Sequence, residues 1–256
     1  MAETIGHDAN FIALSGVYAG IGEKGGSPVY PLNLVGDMGG GGAYLVIGML
    51  SAMLEATKSG KGQVVDSAMV DGAASQMSSI WGFRAAGAWK DERGSNILDG
   101  GAPFYTAYRT RDDRYIAVAP IENRFYRNLL TVLGLDDIDP ARQHDKSQWD
   151  TVRQKLQAVF EARTRDEWCE ILEGTETCCT PILDMSEVTS HPHIEARKTF
   201  VSIDGITQPA PAPRFSRTES EICSAAGPVR SDLYQVLKEW GASADVLGNL
   251  SKENQQ

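Results

Sequence analysis

The sequence predicts a mixed α/β protein: a glycine-rich, helix-rich N-terminal block followed by a smaller α+β unit. Three observations carry this. Asp37-Met38 is followed by Gly39 to Gly42 and then by apolar residues at helical spacing, Leu45, Ile47, Leu50, Met53 and Leu54. Between Tyr105 and Ala119 the pattern changes to two short β-rich runs around Asp112-Asp113-Arg114, which reads as a hairpin. Amphipathic helical patterns then return over 123–133 and 149–162, and again behind the capping box Thr164-Arg165-Asp166-Glu167.

Each element has a local reason. The stretch from Gly16 to Gly36 is dense in glycine and proline and reads as an extended loop. Asp37 is placed as the N-cap of a helix over Met38–Ser59, which stops at Lys58-Ser59-Gly60-Lys61-Gly62, basic residues and glycines suited to a C-terminus. Gln63-Val64-Val65-Asp66-Ser67 is a short strand candidate, and Val70–Trp89 a second helix. Asp91–Gly101 is a polar, glycine-rich linker. Pro181-Ile182-Leu183 reads as a short strand before a helical turn, and Gln208–Arg214 as a stiff connector. Ser231–Trp240 and Asp245–Leu250 read as closing helices. The expected division is a first layer (1–67), a helix and linker (68–104), a small α+β domain (105–191), a return linker (192–215) and C-terminal helices (216–256). A layer of one or two helices and a strand needs a partner for its apolar faces.

Composition narrows the function. The chain has 256 residues, 42% hydrophobic and 23% charged, as expected of a globular protein with a sizeable core. Its formal net charge of -10 argues against nucleic acid or an acidic membrane as partner. The longest apolar run, Ala43–Leu54, is short for a bilayer span, and no secretory signal precedes it. Cys169, Cys178, Cys179 and Cys223 lack zinc spacing and read as reduced thiols of a cytoplasmic protein. His191-Pro192-His193 has no evident third ligand, so no metal is expected.

Three residues stand out for chemistry. His7 lies in Gly6-His7-Asp8-Ala9-Asn10-Phe11, and Asp8 either orients it or caps the apolar segment that follows. Asp37 at a helix mouth, beside bare glycine backbone, is either a simple cap with glycines for close packing or part of a site for a developing oxyanion. Glu122, in Ala119-Pro120-Ile121-Glu122-Asn123, is either a helix N-terminal charge or a carboxylate that fixes one tautomer of an imidazole.

Taken together, Gly6–Gly16, Pro31–Gly42, Thr57–Asp66, Leu98–Tyr108 and Ala119–Tyr126 closely resemble the racemase branch of the family III CoA-transferases (CaiB/BaiF type), and the likeness runs over essentially the whole chain. Phe11 stands where a tyrosine is common. The resemblance implies a partial Rossmann-like large domain and a smaller α+β domain, joined by long linkers in an interlocked homodimer. It places each active site between the large domain of one copy and the small domain of the other. It implies His7 and Asp37 as two catalytic bases, with Glu122 paired to the histidine. Gly6, His7, Asp8, Ala9, Asn10 and Phe11, with Met38, Gly39 and Gly40, then line the acyl-CoA. The reaction implied is racemisation at the α-carbon of 2-methyl-branched acyl-CoA thioesters through an enolate. CoA enters as part of the substrate, with no separate cofactor. The alternative within the family is a CoA-transferase in which Asp37 attacks the thioester. Family members carry further βα units and cationic CoA-phosphate ligands before the Gly-His-Asp motif. That raises a third expectation, an inactive fragment or an assembly module that works only beside such a part and does not bind CoA by itself.

Overall fold

The computed structural model describes residues 5–222, 225 and 233–247. The chain divides into two compact units, 1–182 and 183–256. Cys223 and part of the expected closing helices lie outside the described residues.

The first unit begins with two short helices, α1 (Asp8–Leu14) and α2 (Val17–Gly20), joined at Gly16 with a φ of 85°. The Gly16–Gly36 region is then mostly loop, held by Arg93, whose guanidinium donates to the carbonyls of Ala19 and Gly26 at 3.0 and 2.5 Å. A single helical run follows. It starts as a 3-10 turn (Leu32–Leu34), continues as a π segment (Val35–Ala43) and becomes α3 (Tyr44–Ser59), which ends on Gly60 in the left-handed conformation. Asp37 is therefore not the N-cap: the helical run begins five residues earlier, and Leu34 precedes the π segment.

The glycines of the π segment answer to packing. Helix α4 (Met69–Gln76) crosses so closely that a Cβ on Gly72 would stand 2.0 Å from the Gly40 carbonyl oxygen, and one on Gly40 would stand 2.9 Å from the Ala73 nitrogen. Side chains staple the same seam. The Tyr44 hydroxyl donates to Ser75 Oγ at 2.8 Å, and Gln76 Nε2 donates to the Val35 carbonyl at 3.2 Å. A small core of Ile12, Val17 and Ala73 lies beneath α1 and α4. Helix α3, by contrast, buries no residue. Leu45, Val46, Ile47, Met49, Leu50, Met53 and Leu54 are all exposed. At 28 residues, Leu32–Ser59 is also long and apolar enough to cross a membrane, longer than the apolar run visible in the sequence.

Two sequence expectations change here. Gln63–Ser67 forms no strand; Val64 stands out in solvent, and no strand among the described residues pairs with the segment. The helix expected over Val70–Trp89 is broken near Met77 into α4 and α5 (Ser78–Ala85). The linker after it is an ordered clip. The Asp99 carboxylate accepts from the backbone amides of Ser95, Asn96 and Gly101, and Asn96 is itself buried.

The α+β part follows the expected pattern. Strands β1 (Thr106–Arg109) and β2 (Tyr115–Val118) form the hairpin, with Asp113 at a φ of 57° in its turn, and β3 (Cys179–Ile182) pairs antiparallel with β2. Helices α6 (Asn123–Leu133), α7 (Trp149–Phe160) and α8 (Arg165–Leu172) contribute to its core, and Thr164 and Glu167 cap α8 reciprocally. Tyr108 stacks on Phe160 with ring centroids 5.2 Å apart, and Phe160 meets Trp168 at the same distance. A satellite cluster around Phe104, Tyr126 and Trp149 shares the centre of α6.

The second unit holds α9 (Met185–Val188), α10 (Pro192–Ala196), the hairpin β4 (Phe200–Ile203) and β5 (Ile206–Pro209), and α11 (Leu233–Glu239). The hairpin takes over part of the expected connector. Its turn, Asp204-Gly205, has both residues at positive φ (53° and 78°), the geometry for which Asp-Gly is a direct sequence signal.

Two outcomes test this packing. Gly72→Ala pushes a methyl into the Gly40 carbonyl, where only backbone can yield, so urea denaturation should show a loss of about 3 kcal/mol; a change within about 0.5 kcal/mol contradicts the seam. On β3, burial pushes the Cys179 thiol up to about 12, while Cys178 is exposed. A disulfide reagent at pH 8 should therefore label Cys178 well before Cys179, with Cys179 gaining reactivity only as pH rises toward its own pKa. Equal labelling would contradict the placement.

Candidate functional site

Three elements meet at one corner of the first unit: the N-terminus of α1, the loop ahead of the π segment, and the π segment itself. His7 is the exposed N-cap of α1, and its backbone amide donates to Asn10 Oδ1 at 3.0 Å. The next residue, Asp8, is only 7% exposed. It lies against Gly36, where an added Cβ would come within 2.6 Å of the Asp8 Cβ. Gly36 is followed directly by Asp37. The two candidate bases are thus each one residue from a single tight contact, Asp8 on Gly36.

The corner has its own polar wiring. The Tyr30 hydroxyl donates a short hydrogen bond to Asp8 Oδ2. That bond, with partial burial and the negative charges of Asp8 and Asp37, pushes the Tyr30 phenol up to about 12, so it remains a donor at neutral pH. Asn33 Nδ2 donates to Asp37 Oδ2 at 3.2 Å. Asn33 and Asp37 stand four residues apart in the helical run, a spacing legible in the sequence. Tyr30 and Gly36 carried no comparable signal, because their role depends on the fold.

The remaining sequence-derived residues divide by exposure. Gly6, Ala9 and Phe11 are half-buried, and Asn10 and Met38 are exposed. Gly39 is partly covered by the Gln76 side chain, which would meet an added Cβ at 2.8 Å, and Gly40 is buried in the seam with α4. Of the two readings open for the glycine run, close helix packing accounts for Gly36 and Gly40. The helical run starts at Leu32, so Asp37 stands within it and not at its mouth.

Glu122 stands apart. It is the exposed N-cap of α6, with no side-chain cap bond, and its charge acts on the neighbouring Cys178 thiol. Among the described residues it makes no hydrogen bond or ion pair with His7. One chain therefore brings His7 and Asp37 to a shared corner and leaves Glu122 on the α+β part.

Comparison with known proteins fits this layout. The profile of CoA-transferase family III matches residues 1–231. Alpha-methylacyl-CoA racemase of Mus musculus is 42% identical over 98% of the chain, which spans 67% of that protein. The Homo sapiens protein of the same name is 39% identical over 97% of the chain, which spans 65% of it. Among solved structures, a CAIB/BAIF family protein from Brucella suis has a TM-score of 0.70 at 22% identity, covering 93% of this chain and 64% of its own, and so shares the fold. The α/β architecture, the motif-bearing corner and the profile match lead to one conclusion: the chain belongs to CoA-transferase family III.

Proposed function

We propose that His7 and Asp37 are the two bases of an acyl-CoA racemase that epimerises the α-carbon of 2-methyl-branched thioesters. The observation that carries this is the shared corner: the Asp8–Gly36 contact places an imidazole and a carboxylate on adjoining elements. The two mammalian relatives named as racemases support the reaction class.

The α-proton of a thioester is weakly acidic, and its removal needs a placed base and a stabilised enolate. In one direction neutral His7 takes the proton from one face while protonated Asp37 donates to the other. In the reverse direction the Asp37 carboxylate is the base and the imidazolium the acid. Each such step is worth about 10²–10⁴-fold. The enolate oxygen needs N–H donors, worth a few kcal/mol. Asp37 lies within a helical run and not at its mouth, so the first amides of α1, beside His7, are the better source, since a helix leaves its opening N–H groups without intrahelical carbonyls. The thioester itself supplies the activation, so no separate cofactor is required.

Glu122 completes the site by holding the His7 imidazole, and in this reading it does so from a second copy of the chain in a homodimer. The exposed position of Glu122 and its separation from His7 support that arrangement.

The test is α-proton exchange into solvent deuterium, measured on the intact protein with a 2-methylacyl-CoA. His7→Ala and Asp37→Ala should each slow exchange by about 10²-fold or more; exchange at the wild-type rate in both would refute the two-base site. An Asp37 adduct trapped by hydroxylamine during turnover would assign Asp37 instead as the nucleophile of a CoA-transferase. Acetyl-CoA binding to this chain alone separates a working site from an assembly module.

A further inference from the structure

Neither the motif nor the proposed chemistry uses Tyr30, yet its side chain is bonded to the joint between the two bases. Asp8 is more than nine-tenths buried, and its carboxylate accepts from the Tyr30 hydroxyl. The same carboxylate lies against the bare Cα of Gly36, where an added Cβ would be 3.3 Å from Asp8 Oδ2. A buried carboxylate without a donor is costly, so Tyr30 is what makes this seat acceptable to Asp8. The Tyr30 ring is held in turn, edge-on to Tyr18 of α2, with centroids 6.0 Å apart. The chain of contacts runs Tyr18, Tyr30, Asp8, Gly36, and its last two members are the sequence neighbours of His7 and Asp37.

We propose that Tyr30 is a positioning residue for this site: through Asp8 it clamps the start of α1 onto Gly36 and so fixes the separation of His7 and Asp37. This rests on the two-base reading above. Proton delivery to opposite faces of one carbon sets a narrow tolerance on that separation, because small misplacements of catalytic groups cost large factors in rate. Tyr30 takes no part in proton transfer; it donates to Asp8 and acts through it. The clamp is specific to glycine at position 36, since a methyl there would displace Asp8 and separate the two elements.

The experiment uses the intact protein with Tyr30→Phe, which keeps the ring contact to Tyr18 and removes only the hydroxyl. Racemisation of a 2-methylacyl-CoA is measured together with the imidazole carbon–proton NMR resonance of His7, assigned by its loss in His7→Asn. The expected result is a fall in kcat of about tenfold with KM within about twofold, as for a lost bond to a charged group in a positioning role. The His7 resonance should shift, and the melting temperature should fall by only a few degrees, the cost of one lost donor to a buried carboxylate. Asp8→Asn, which retains an acceptor for Tyr30, should keep more activity than Asp8→Ala. An unchanged kcat, a rise in KM alone, or a His7 resonance that stays in place would overturn the clamp. If the wild-type protein itself exchanges no α-proton, the two-base reading fails, and the clamp is then judged by the His7 resonance alone.

Discussion

The contact on which the N-terminal block depends is backbone against backbone: the Gly40 carbonyl on the Cα of Gly72. Two helical segments approach this closely only if neither carries a Cβ at the crossing. The π geometry suits the same purpose. In the segment Val35–Ala43, Gly36 and Gly40 stand four residues apart, about one turn along the same face. One receives Asp8 and the other receives α4. A short glycine-rich stretch thereby holds α1 and α4 at once, around a core of only a few buried residues. The stability of the corner is concentrated in close fit, with little apolar area behind it. The remaining apolar surface, along α3, stays in solvent.

That arrangement accounts for what could be read from the residues. The α6, α7 and α8 helices and the β1–β2 hairpin were legible because each carries its own periodicity, and Thr164 and Glu167 mark a helix start that the structure keeps. The strand expected at Gln63–Ser67 is absent because a β-branched pair, Val64-Val65, supplies no partner strand by itself. The Asp204-Gly205 hairpin was there to be found, as an Asp-Gly pair between β-rich residues, but the prolines after it dominated the reading. Asp37 lies inside the helical run and not at its N-cap for a different reason: Leu32–Leu34 has no side-chain cap, and a 3-10 start running into a π segment leaves no mark in helical periodicity.

The site was legible in its chemistry and not in its geometry. His7, Asp37 and Glu122 could be named from motifs, but their grouping could not. The fold separates them into a pair and a single residue. Tyr30 was invisible as a functional residue because its importance lies in what it bonds to, 22 positions away. Gly36 was visible only as one more glycine in a rich stretch. Both matter through Asp8, a residue whose sequence context leaves open a cap or an orienting partner of His7 and whose burial makes it a joint.

In the proposed homodimer the two bases come from one chain and the carboxylate that supports His7 comes from the other. Mixed dimers test it directly. Two inactive variants, His7→Ala and Glu122→Gln, are co-expressed with different tags, and the mixed species is isolated and assayed for α-proton exchange. In the proposed arrangement one of its two sites combines intact His7 and Asp37 of one copy with intact Glu122 of the other. About half of the wild-type rate should then return, as expected for one intact site of two in a closed symmetric dimer. A mixed dimer as inactive as its parents would contradict the account and place the whole site within a single chain.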